Sequence, residues 1–177
     1  PDYVRSNFCG SCHQKTFKEW KANNVEDTCQ DCHMPRKKGR LTQKAGFNLL
    51  HKKRWVGDHR FLHGEIKEKD VVMESGWEEN FFIISLKNQT IPHFVPTADN
   101  GDPRLYLYIK FFNEAGEEVD NAKEIIAPQQ ETALPYNKKM RYRYRLFDKI
   151  IKAEVELKYQ PSWSKEKSTV RTETVLR

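Results

Sequence analysis

The sequence contains no run of about 18 apolar residues, so none of its helices can be long and apolar enough to span a bilayer. Apolar residues are scarce throughout, at 37% of 177, and mean hydropathy is −0.86. That is little material for a self-sufficient core in a chain of one domain or two small ones. Cysteine is absent beyond residue 32, which excludes any disulfide between sheets in the C-terminal part. Acidic residues are absent from Met34 to Gly57, where eight Lys or Arg occur (36, 37, 38, 40, 44, 52, 53 and 54). A charge run of this kind is ordinarily a solvated face; otherwise it neutralises bound anionic groups or docks an acidic partner. The net charge of +6 points the same way.

What is present is concentrated in Cys9–His33. All four cysteines fall there as two Cys-x-x-Cys pairs, each followed at once by histidine: Cys9, Cys12, His13, then Cys29, Cys32, His33. Cys-x-x-Cys-His is the attachment motif for c-type haem. The thiols add across the vinyl groups on one porphyrin edge, and the adjacent histidine reaches the iron as proximal ligand. Two intervening residues match the reach between the vinyls. Without the histidines, the sixteen residues between the pairs would also suit a four-cysteine zinc site. Such a site has no use for a histidine after each pair. The expected cofactors are therefore two covalent haems c, on Cys9 and Cys12 and on Cys29 and Cys32, with His13 and His33 on the irons.

Phe17 and Trp20 at helical spacing predict a short amphipathic helix over 13–22, ended by Asn23-Asn24, and Asp27-Thr28 predicts a cap entering the second motif. After residue 75 the texture changes to strands. Phe81–Leu86 is one, and Leu105, Leu107, Ile109 and Phe111 alternate with Tyr106 and Tyr108 in another. Asn113–Gly116 is a turn and Val119 begins a short return. Tyr142, Tyr144 and Leu146 alternate with Arg141, Arg143 and Arg145. Ala153, Val155, Leu157 and Tyr159 alternate with Lys and Glu, and 170–176 closes the sheet. The expected class is α+β: a small, mostly α-helical or irregular dihaem domain over 1–75, then an immunoglobulin-like all-β sandwich over 76–177. The haems would supply the core that the first domain lacks.

Four histidines remain as sixth ligands: His51, His59, His63 and His93. His93 lies between Pro92 and Pro96, which fix an extended loop after a strand. His59 has Phe61 nearby to pack on a ring. These two rank first. His63, four residues on from His59, and His51, flanked by Lys52-Lys53-Arg54, rank lower. Met34, Met73 and Met140 have nothing to recommend them.

Taken together, the first motif with its Trp20 helix, Cys29-Gln-Asp-Cys-His-Met-Pro35 and Asp58-His59-Arg60-Phe61 resemble exported bacterial or archaeal multihaem c-type cytochromes. Pro92-His93-Phe-Val-Pro-Thr97 is similar to a loop of β-domains appended to such cytochromes. The resemblance implies axial ligation by His59 and His93. It also marks a departure, because relatives often place a distal histidine shortly after the helix Trp, where this chain has Lys21-Ala-Asn-Asn24.

The function expected is electron transfer outside the cytoplasm, periplasmic or extracellular, as an electron carrier rather than an enzyme. Acidic redox proteins would be partners, together with other cytochrome subunits in a larger assembly, and no nucleic acid. Attachment of haem to these motifs takes place after export, so Pro1 reads as a mature end or a cut point, with room for further haem modules upstream. Two alternatives are a haem enzyme reducing a small molecule at an open distal site, and a zinc ribbon using the basic run on nucleic acid.

Overall fold

The computed structural model describes residues 5–34, 36–40, 42, 46–57, 65–99, 101–146 and 149–177. The chain divides into two compact units, residues 1–62 and 63–177.

In the first unit, α1 (Ser6–Cys9) and α3 (Cys29–His33) are about one turn each, and α2 (Gln14–Ala22) has nine residues. Asn23 caps α2 and Asn24 turns left-handed at φ 48°, which stops the helix where the paired asparagines predicted. The basic run forms an antiparallel hairpin of β1 (Arg36–Gly39) and β2 (Arg54–Gly57), in register from Arg36↔Gly57 to Gly39↔Arg54. Between them, Phe47–Leu50 makes a 3₁₀ turn.

The second unit pairs two antiparallel sheets. One has strand order β3-β4-β7, from β3 (Val71–Glu78), β4 (Phe81–Asn88) and β7 (Lys139–Arg145). The other runs β6-β5-β8-β9, from β5 (Arg104–Phe112), β6 (Glu118–Ile126), β8 (Lys152–Gln160) and β9 (Ser168–Leu176). Period-two alternation builds both. Met73, Phe82, Ile84 and Leu86 from one sheet meet Leu105, Leu107, Ile109, Phe111, Val155 and Leu157 from the other in a single buried cluster. An aromatic centre sits within it: Phe82 lies 5.5 Å from Phe111 edge-on, and Trp77 lies 4.7 Å from Phe82. Asn113 Oδ1 accepts from the N–H groups of Ala115 and Glu117, while Gly116 takes φ 79°, so the β5–β6 turn falls where the sequence places it. At the outer strand β7, Lys139 and Arg141 pair with Glu74 and Glu78 and the Arg143 guanidinium lies over Phe81. That keeps a sheet edge charged and discourages edge-to-edge association.

The expected α+β class, with a mostly helical first domain, is incorrect: the regular structure is predominantly antiparallel strand and the chain is all-β in class. Two physical reasons account for the difference. Helices as short as α1 and α3 cannot outweigh the cost of nucleation by themselves and persist only as local turns. Backbone hydrogen bonding also pairs β1 with β2 although neither carries an apolar period, so periodicity leaves that hairpin unmarked. The alternation reading likewise misses β3, whose Glu74, Ser75 and Gly76 break the pattern, and it makes the return strand β6 too short.

Phe82→Ala should lower the stability of the second unit by about 3–5 kcal/mol, because Trp77 and Phe111 leave a void that cannot fully collapse. Urea unfolding followed by tyrosine fluorescence checks this.

Candidate haem-attachment site

The first motif leaves α1 at Cys9, turns through Gly10–Cys12 and enters α2 at His13, which stands at the helix N-cap. Cys9 carbonyl accepts from the N–H groups of Cys12 (3.1 Å) and His13 (2.8 Å), and His13 carbonyl accepts from Phe17 N–H at 2.9 Å. Ser11 Oγ donates to Phe8 carbonyl at 2.8 Å. The ring of Phe17 closes over this turn: a Cβ at Gly10 would stand 2.7 Å from it, so the glycine makes room for the aromatic.

The second motif is α3 itself. Thr28 caps it, accepting at its hydroxyl from Asp31 N–H, while the Asp31 carboxylate accepts from Thr28 N–H (2.8 Å) and hydroxyl (2.7 Å). The Thr28 hydroxyl and then its N–H hold the Asp31 carboxyl below the usual range. Trp20 Nε1 donates to Asp27 carbonyl at 3.0 Å, tying the connecting turn back to α2. Ser6 Oγ accepts from Cys29 N–H at 3.0 Å, and Gln30 Nε2 donates to Arg5 carbonyl at 2.9 Å, so α1 and α3 are locked together.

Through these bonds the two motifs meet. The Cys9 thiol is pushed above its ordinary value by burial first, then by the charge of Cys29 and a hydrogen bond to it. Burial first, then Asp27, raises Cys32. The imidazole of His33 is pushed down, by crowding first and then by His13, although part of its surface is exposed. All four thiols are free, with Cys12 and Cys32 exposed and Cys9 and Cys29 half-buried. Among the described residues, no three His, Cys, Asp or Glu side chains stand where one ion would engage them, as a tetrahedral zinc site requires.

The surroundings fit a large apolar group bonded to the thiols. Ser6, at 4% exposure, is the one buried residue among the described residues of the first unit. Phe17 and Trp20 stack at 5.6 Å on α2, yet α2 buries no residue at all. Phe17 and Trp20 are half-buried and Phe8 is exposed. A porphyrin on each cysteine pair would add apolar contact to these rings, and His13 and His33 would supply an imidazole for each iron.

His59 and His63 lie outside the described residues. His51 follows the 3₁₀ turn and is exposed. His93 belongs to the second unit, in the loop after β4, half-buried, with Nδ1 2.9 Å from Phe94 carbonyl. A proton on Nδ1 donated to that carbonyl leaves the ring's lone pair on Nε2, the tautomer that ligates iron. The loop is held by Asn88, fully buried, whose Nδ2 donates to the carbonyls of Ile91 (2.9 Å) and His93 (2.7 Å) and whose Oδ1 accepts from Ile91 N–H. Asp70 adds a bond from Thr90 Oγ1 at 2.5 Å.

No protein-family model and no curated protein matches the chain. A penta-haem cytochrome c552 from Thermochromatium tepidum is similar in structure, with a TM-score of 0.62 at 18% identity, over 98% of this chain and 56% of that one. The fold is multihaem-cytochrome-like. The chain spans little more than half of that neighbour's length. A structural-genomics target at TM-score 0.32 and 12% identity, over 62% of this chain and 89% of that one, is too distant to support an argument.

Sequence reasoning passes over Ser6 and Asn88. Nothing local marks Ser6, whose partner is 23 residues away. Asn88 opens Asn-Gln-Thr-Ile-Pro, a turn signature that could have identified it as the residue ordering the His93 loop.

Thr28→Ala should cost α3 about 1 kcal/mol. Because the folded-state pKa of Asp31 is depressed, its stabilisation is present above the unfolded value of about 3.9 and is lost as pH falls through the folded one. Faster amide exchange at Cys29–His33 in the variant, and in the parent below about pH 4, checks both. Asn88→Ala removes the bonds to the Ile91 and His93 carbonyls and from Ile91 N–H and should cost the second unit about 2 kcal/mol, read as a lower urea midpoint with faster exchange over 89–95.

Proposed function

We propose that this chain is a dihaem c-type cytochrome that carries electrons outside the cytoplasm, in the periplasm or beyond the cell. The observation carrying the reading is the doubled Cys-x-x-Cys-His, set in a unit whose described residues form no apolar core. Cys9 and Cys12 would hold one haem and Cys29 and Cys32 the other, with His13 and His33 as proximal ligands. His59 and His93 are the first choices for the sixth positions and His63 and His51 the second. Each bound haem supplies a one-electron Fe(II)/Fe(III) couple, its potential set by the axial ligands and by burial.

The chain's own residues hold and orient. Ser6 and Gln30 keep the motifs together, which favours exchange between two nearby centres. The Thr28–Asp31 cap presents the second cysteine pair on a formed turn. Asn88 holds the His93 loop and the Phe94 carbonyl selects the ring's tautomer. Phe17, Trp20 and Phe8 would exclude water from porphyrin faces. The similarity to a penta-haem cytochrome supports this reading at the level of fold. The net charge of +6 suits docking of an acidic redox protein, and assembly with further cytochrome subunits belongs to the same proposal.

The test is an optical spectrum of the exported protein, oxidised and dithionite-reduced, with and without carbon monoxide. The expected result is sharp c-type bands that survive denaturation, because the haems are covalently attached, and that carbon monoxide does not move, because both irons carry two protein ligands. A colourless protein would overturn the haem assignment and return the thiols to metal binding. A carbon monoxide shift would overturn the electron-carrier assignment in favour of an open iron and small-molecule chemistry.

A further inference from the structure

The hairpin of β1 and β2 carries exposed apolar side chains outside the two Cys-x-x-Cys-His motifs. The hairpin ladder closes at Gly39↔Arg54. Between its strands the 3₁₀ turn Phe47–Leu50 has Leu49 75%, Leu50 81% and Phe47 57% exposed. Trp55, at the start of β2, is 63% exposed. Large aliphatic side chains standing this far into water gain nothing from folding.

Cations frame them. Lys38 and Arg40 precede the loop's apolar turn, and Lys52, Lys53 and Arg54 follow it, with no acid from Met34 to Gly57. Lys38 is the cross-strand partner of Trp55, its Nζ 5.6 Å from the ring centroid. We propose that this loop seats the protein on an anionic lipid surface. Leu49, Leu50 and Phe47 enter the boundary between headgroups and acyl chains. Trp55 lies at headgroup level, where amphipathic rings concentrate, and the lysines and arginines engage acidic headgroups. Charge complementarity by itself would suit an acidic protein equally well. A dock for an acidic protein needs no exposed leucine pair, whereas exposed leucines flanked in the sequence by cations and followed by an exposed Trp are interfacial chemistry.

The experiment is flotation of the full chain with phosphatidylcholine vesicles containing about 30% phosphatidylserine, against phosphatidylcholine alone. The chain is expected to float with the anionic vesicles at about 50 mM salt and to be largely released at about 0.5 M. Leu49→Ser/Leu50→Ser should weaken vesicle binding about tenfold or more while leaving the circular dichroism spectrum unchanged. Lys52→Gln/Lys53→Gln should weaken binding to anionic vesicles only. Absence of binding to anionic vesicles, or binding indifferent to the leucine substitutions, would overturn the proposal. So would a dimer in sedimentation that the leucine variant abolishes, since a second copy would then cover the loop. The haem reading stands or falls separately, on the optical spectrum.

Discussion

The two units solve the problem of burial in opposite ways, and the scarcity of apolar residues explains both. In the second unit the inward faces of β4, β5 and β8 take nearly every large aliphatic or aromatic side chain within reach: Phe82, Ile84, Leu86, Leu105, Leu107, Ile109, Phe111, Val155 and Leu157. That layer holds the two sheets together. It also lets the loops at their ends, including the one bearing His93, be built from polar contacts such as those of Asn88 and Asp70.

The first unit has no such layer among its described residues. Its order around the motifs comes from single hydrogen bonds between distant points of the chain: Ser6 to Cys29, Gln30 to Arg5, Trp20 to Asp27. Each is worth about 1 kcal/mol in water, too little to hold thirty residues against their conformational entropy. The aromatics at Phe8, Phe17 and Trp20 therefore make physical sense in company with an apolar group bonded to the neighbouring thiols. On the proposed reading chemistry and stability become one question there, because the haem that would carry electrons would also complete the fold.

Covalent attachment of haem, as proposed, would not require the thiols to converge. Cys12 and Cys32 stay exposed, and Cys9 approaches Cys29 of the other motif rather than its own partner in a common tetrahedron. Thiols that bond separately to porphyrin edges have no reason to surround one point. Nor do the histidines need burial beforehand: His13 caps a helix and His33 ends one, both placed by local turns.

The sequence by itself determined whatever depends on neighbours in the chain. The doubled motif, the Phe17–Trp20 helix, the Thr28 cap, the Asn113–Gly116 turn and the alternation of β5 and β8 all follow from local chemistry and a fixed period. Only the tertiary structure decided the all-β class, the hairpin hidden in the basic run, and the roles of Ser6 and Asn88. It alone brought the two motifs together. The physical reason is common to these: backbone hydrogen bonding is indifferent to side-chain pattern, and a bond between residues far apart in the chain leaves no local trace. A strand without apolar alternation, or a serine whose partner lies 23 residues on, becomes legible only when the chain is folded.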